Sequence, residues 1–105
     1  MKKENIFANL VKNKDKEIFQ EILSKNNIKI ERIVSYGQSS PKEGWYDQEG
    51  DEWVMVLKGK AVLSFKESDD VVLESGEYIN IPAHTKHKVS WTAPDEETIW
   101  LAVHY

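Results

Sequence analysis

The chain has 105 residues, 40% of them apolar and 30% charged, which is the balance of one soluble globular domain. It contains no cysteine, which excludes disulfides, thiolate zinc sites, iron–sulfur clusters and a cysteine nucleophile. The net charge of −4 is uneven: residues 1–30 carry seven lysines and four acids, residues 31–105 seven basic and fourteen acidic side chains, and so acidic a body argues against nucleic acid as the partner.

Residues 1–14 are polar and irregular, with Ile6, Phe7, Leu10 and Val11 as apolar anchors of an arm that packs onto the body. The lysines at positions 2 and 3 lead into no apolar leader core, and no later run reaches the length of a membrane span. A soluble, cytoplasmic chain that does not bind membranes is therefore expected. Asp15 has the chemistry of an N-cap. Ile18, Phe19, Ile22 and Leu23 follow at helical spacing, which predicts a short amphipathic helix over 15–24 that ends at Asn26-Asn27. The arm and helix, residues 1–27, are then an appendage on a body of residues 28–105.

From Ile28 the texture becomes β. Ile28, Ile30, Ile33 and Val34 mark a first strand, and Gly37 to Pro41 a turn-rich link. An acidic run (Glu43, Asp47, Glu49, Asp51, Glu52) leads into strand Trp53–Leu57. Gly59 turns the chain at positive φ into Ala61–Phe65, a predicted hairpin. Val71–Leu73, Tyr78–Ile81, Lys86–Trp91 and Glu97–His104 complete about seven short strands separated by turn signals. With no helix between strands after residue 27, the fold class is all-β, an antiparallel sandwich or small barrel.

The alternation of strands selects the candidate site. His87, Val89 and Trp91 share one face of their strand, opposite Lys86, Lys88 and Ser90, so His87 points inward. Glu52 shares a face with Val54 and Val56 and sits against an apolar wall. A buried imidazole and a buried carboxylate in one small barrel form part of a metal site or an acid–base pair. In the last strand Trp100, Ala102 and His104 share a face, and either face can be the inner one. Trp91 and Tyr46 are candidate pocket walls for a flat or sugar-like ligand, against the plainer reading of both as packing. No phosphate loop, nucleophile elbow, H-E-x-x-H helix or dinucleotide fingerprint is present.

At these residues the sequence resembles the cupin superfamily, small jelly-roll barrels. Glu52, six residues and Gly59 have the spacing of the end of the first cupin motif. Gly76, Pro82 and His87 match the second, with His84 where a glycine is usual and Trp91 where an asparagine is usual. The chain looks like the small stand-alone bacterial cupins with W-Y-D-Q…E-W-V…G, P-A-H-T-x-H and W-L-A-V-H stretches, a group without a firmly assigned activity. The resemblance implies a cupin-type jelly-roll barrel, a pocket inside it, and a homodimer. Metal-binding cupins carry His-x-His before the glutamate, and here those positions fall on Tyr46 and Gln48 or on Trp45 and Asp47. Glu52 and His87 remain, and Asp47 or Gln48 and His84 are the available substitutes. Such a set would suit Mn, Fe(II), Zn or Ni without choosing among them. Two functions stay open: a metal-dependent enzyme (a dioxygenase, isomerase or lyase) acting on a small oxygen-rich substrate, and a metal-free module that binds or senses a small molecule.

Overall fold

The computed structural model describes all 105 residues. Its strands are β1 (Ile18–Lys25), β2 (Ile28–Ser35), β3 (Glu52–Lys58), β4 (Lys60–Phe65), β5 (Ser68–Glu74), β6 (Tyr78–Ile81), β7 (His87–Thr92) and β8 (Thr98–His104). They form two antiparallel sheets, one in the order β1-β2-β8-β3-β6 and the other in the order β5-β4-β7. This is the all-β, jelly-roll architecture expected from the sequence. No helix of the chain is long and apolar enough to cross a membrane.

The helix expected over 15–24 is instead strand β1, paired antiparallel with β2. The register shifts between Glu21 and Leu23, so a bulge at Ile22 breaks the alternation of β1. Two adjacent apolar pairs four residues apart then mimic a helical stripe. Asn26 does take a left-handed conformation, φ 52°, but as part of the β1–β2 turn rather than a helix cap. The sheet therefore begins at Ile18, and the boundary expected at residue 27 falls inside a hairpin.

The arm before β1 is held chiefly by polar contacts. Phe7 and Val11, two of its four expected apolar anchors, are exposed. Arg32, only 5% exposed, donates to the carbonyls of Ile6 and Ala8 at 2.8 Å each. It also donates to the Gln20 side chain. Lys12 and Lys58 both reach Glu97 at 3.1 Å. Lys58 first and Lys12 second hold the Glu97 carboxyl below its ordinary range, against the opposing effect of burial.

Between the sheets lies the core. Val54 and Val56 of β3, Leu63 of β4, Leu73 of β5, and Trp100 and Ala102 of β8 are its centre. Removing such side chains from water supplies roughly 1.5–3 kcal/mol each. The chain changes sheet at Gly59, so β3 and β4 are not the hairpin expected from the sequence. Gly59 has φ 98°, and a Cβ there would stand 2.7 Å from the Thr98 Cα and 2.9 Å from the Glu97 carbonyl oxygen. Only glycine fits this corner.

Candidate functional site

A cavity of about 110 Å³ opens within the barrel, large enough for several waters or one small organic molecule. Glu52 enters it from the start of β3 and His87 from the start of β7. Both follow from strand phase, as expected: Val54 and Val56 on the face of Glu52 are buried, and His87 itself is 4% exposed.

The surroundings of His87 fix its chemistry. Its ring lies between Tyr46 and Phe65, with centroids 5.7 and 6.1 Å away. The backbone of Tyr46 bonds that of His87 in both directions, at 2.7 and 3.1 Å, so the loop before β3 runs beside β7 as an irregular extra edge. Nδ1 lies 2.7 Å from the Thr85 carbonyl oxygen. A carbonyl only accepts, so Nδ1 carries a proton and Nε2 is the nitrogen that exchanges one. Nε2 faces Glu52 Oε1 at 3.5 Å. Burial works to lower the His87 pKa, but hydrogen bonding to Glu52 and to Thr85, with the Glu52 charge, outweighs it and raises the value above 6.5.

A second pair lies beside the first. His104 Nε2 is 2.8 Å from Glu31 Oε1, and His104 is the direct cross-strand partner of Glu52. The open question about the last strand is thereby resolved, because Trp100 and His104 line the cavity. Glu17 adds a third carboxylate, which accepts from Ser35 Oγ at 2.5 Å. Ser35 in turn accepts from the Trp100 indole N–H at 3.1 Å. Gln48, Tyr46 and Phe19 complete the polar and aromatic lining, and no lysine or arginine is among the lining residues.

Glu17 and Glu31 were not candidates from the sequence. Reading 15–24 as a helix hides Glu17, which lies one residue before β1. Glu31 belonged to a strand whose apolar residues occupy both faces, so its phase was undetermined. Ile33, two residues from Glu31 and buried, is the neighbour that would have set it.

Trp91 is corrected. It is 42% exposed and lies outside the cavity. Val62 pairs with Trp91 but Leu63 pairs with Val89, so Ser90 is an extra residue in β7. This bulge reverses the phase, and Thr92 rather than Trp91 is buried beyond it. Asp47 and His84 also lie outside the cavity. They pair with each other, His84 Nδ1 to Asp47 Oδ1 at 2.9 Å, with side chains 41% and 66% exposed respectively. His84 adopts φ 61°, the conformation that suits the glycine usual at its motif position.

The four residues that could have assembled a metal site thus separate into an exposed pair and a buried pair. No three histidine, aspartate or glutamate side chains stand close enough together to hold one ion. What the buried donors form is a pair of carboxylate–imidazole couples around a polar cavity.

A family model described as "Cupin domain" matches residues 32–104. Comparison with curated proteins finds no match. Among solved structures, one from Ralstonia eutropha named "putative mannose-6-phosphate isomerase" is 44% identical, with 99% of this chain and 97% of that chain covered and a TM-score of 0.92. A cupin superfamily protein from Desulfitobacterium hafniense is 17% identical over 99% of this chain and 91% of its own, TM-score 0.78. An RmlC-like cupin protein from Desulfovibrio desulfuricans is 19% identical over 99% and 96%, TM-score 0.78. These two share the fold alone. With its two sheets, its Glu52 and His87 inside the barrel and a family match over most of its length, the chain belongs to the cupin family.

Proposed function

We propose that the cavity binds a small neutral or cationic molecule bearing hydroxyl or amine groups, without a metal, and that Glu52 and His87 move a proton on it. The observation that carries this reading is the Glu52–His87 couple: a buried imidazole with Nδ1 committed to Thr85 and Nε2 turned to a carboxylate 3.5 Å away. The two atoms are too close for a third to lie between them, but one ligand oxygen or nitrogen on the cavity side can touch both. Neutral Nε2 accepts a proton from the ligand, the Glu52 carboxylate stabilises the imidazolium so formed, and the proton returns to another ligand atom. Glu31 and His104 sit one step further along the wall, placed to hold a ligand hydroxyl or ammonium. This is the chemistry of an isomerase acting on a small hydroxycarbonyl compound, and of a binding module if the proton never leaves.

The name of the Ralstonia relative suggests a sugar phosphate. The lining argues for a different ligand class. A phosphate dianion would meet the carboxylates of Glu17, Glu31 and Glu52 with no lysine or arginine to offset them.

The experiment is a thermal-shift and calorimetric screen of chelator-treated protein against small polyols, hydroxycarbonyl compounds, amines and hexose phosphates. A neutral or cationic compound should raise the melting temperature in the presence of chelator, and Glu52→Gln should weaken its binding about tenfold or more. Binding of hexose phosphates alone, or binding only after Mn, Fe(II), Ni or Zn is added, would overturn the reading. Deuterium entering the bound compound in heavy water then separates the isomerase from the binding module.

A further inference from the structure

We infer that Glu17 is a second anchor of the cavity and that the ligand is a linear aliphatic diamine or polyamine, with one ammonium group held at Glu17 and another amine at the inner end beside Glu52 and His87. The inner contact rests on the site proposed above, whereas the contact at Glu17 does not. Three carboxylates line the cavity, and the chain supplies a basic partner to only two of them. Glu52 faces His87 at 3.5 Å. Glu31 has His104 at 2.8 Å and Lys29 at 3.8 Å. Glu17 takes part in no ion pair of the chain. Of the lysines just before it, Lys12 pairs with Glu97, Lys14 lies over the Tyr36 ring, and Lys16 is exposed and outside the cavity.

Glu17 is nonetheless held in place. The Trp100 indole N–H donates to Ser35 Oγ, so the hydroxyl proton of Ser35 is left for Glu17 Oε2, 2.5 Å away. Ser35 and Trp100 are both buried. Two packed side chains thus aim the carboxylate, and its Oε1 receives no hydrogen bond from the chain. Tying the start of β1 to β2 needs only an acceptor for the Ser35 proton. A full negative charge with one oxygen free inside a cavity wall suits a cationic donor.

The register sets the shape of the ligand. Ser35 is four residues from Glu31 along β2, about 13 Å at the rise of a strand. Val54 and Glu31 both pair with Ala102, so Glu52 lies beyond Glu31 on the side away from Ser35. The carboxylates therefore occupy opposite ends of one cavity. Between the ends the wall is apolar: Phe19 and Ile33, direct cross-strand partners, and Trp100. Phe19 lines the cavity and is 54% exposed, which makes the Glu17 end the mouth. Charge at both ends and methylenes between them match this wall, and an aromatic ring beside the outer ammonium adds to its attraction.

Calorimetry on the chelator-treated full chain tests this with putrescine, cadaverine and spermidine as a length series, and with aminopentanol and pentanediol as the matched analogues of cadaverine. The amines should bind, and cadaverine should bind about tenfold or more tighter than pentanediol. Glu17→Gln keeps an amide oxygen for Ser35 and removes the charge. It should weaken the amines about tenfold, leave pentanediol within about twofold, and keep the circular dichroism of the native protein. Should that variant fail to fold, the native protein answers alone: the methylene next to the nitrogen of bound aminopentanol should show a nuclear Overhauser contact to the Phe19 ring. Amine binding that Glu52→Gln weakens and Glu17→Gln leaves unchanged would overturn the anchor and leave the site proposed above standing. Amine binding weakened by Glu17→Gln alone would support the anchor and overturn that site. The anchor also falls if pentanediol binds as tightly as cadaverine, if no amine binds at millimolar concentration, or if the hydroxyl end of aminopentanol is the one beside Phe19.

Discussion

His87 holds a proton more tightly than an ordinary imidazole, and that has a measurable consequence. A folded pKa above the unfolded value of about 6.5 means that protonation adds stability fully below that value, and the gain is lost as pH rises through the raised folded value. Denaturant unfolding between pH 5 and 9 should show wild-type protein losing stability relative to His87→Gln as pH climbs through this window. In Glu52→Gln the loss should shrink, because the carboxylate is one of the groups that raise the pKa. Glu97 behaves in the opposite sense. Its lowered pKa adds stability above about 4.5, lost as pH falls through the lowered folded value. Both members of the buried pair were legible in the sequence: in β7 Lys86 and Lys88 leave the His87 face as the inner one, and in β3 both faces are apolar, so Glu52 meets an apolar wall whichever way it turns. Asp47 and His84 were not, because the loops that carry them have no period from which a direction follows.

At the scale of the strands, what the sequence concealed was irregularity rather than type. Every strand after residue 27 was visible as an apolar segment between turn residues. Strand β1 was not, because the bulge at Ile22 offsets its two apolar pairs into helical spacing. Trp91 failed for a related reason: one extra residue at Ser90 exchanges the faces of the strand. A bulge leaves no residue signature of its own, so strand phase read from sequence holds only up to the first one. Gly59 shows the contrary case, where a single residue announces its geometry. Gly59→Ala combines positive φ with a clash against Thr98 and Glu97 backbone, and should cost about 2–4 kcal/mol. At Gly76, φ 87° but with nothing near the added carbon, the same substitution should cost about 1–2 kcal/mol. Chemical denaturation of the two variants side by side measures the difference, and equal costs would refute the packing argument.

For the whole molecule, the arm and the sheet are one unit. Arg32 points to the side of the five-stranded sheet away from the cavity and fastens the arm by main-chain carbonyls. Arg32→Met keeps much of the side-chain volume and removes those bonds. It should cost about 2–3 kcal/mol and make the lysines of the arm susceptible to trypsin while the barrel stays intact. Cleavage rate followed by mass spectrometry checks this, and an arm as resistant as in wild type would show that Lys12 and Glu97 suffice.

The bond between Tyr46 and His87 uses main-chain atoms alone. The loop at the cavity mouth is therefore tied down by a residue whose side chain is free to change. Substituting the imidazole alters what the cavity does without untying what encloses it. A barrel built this way can exchange one reaction for another, or for simple binding, by single steps at residue 87 that leave the architecture standing. Members of one family that share the strands and differ in chemistry are the natural product of such a separation.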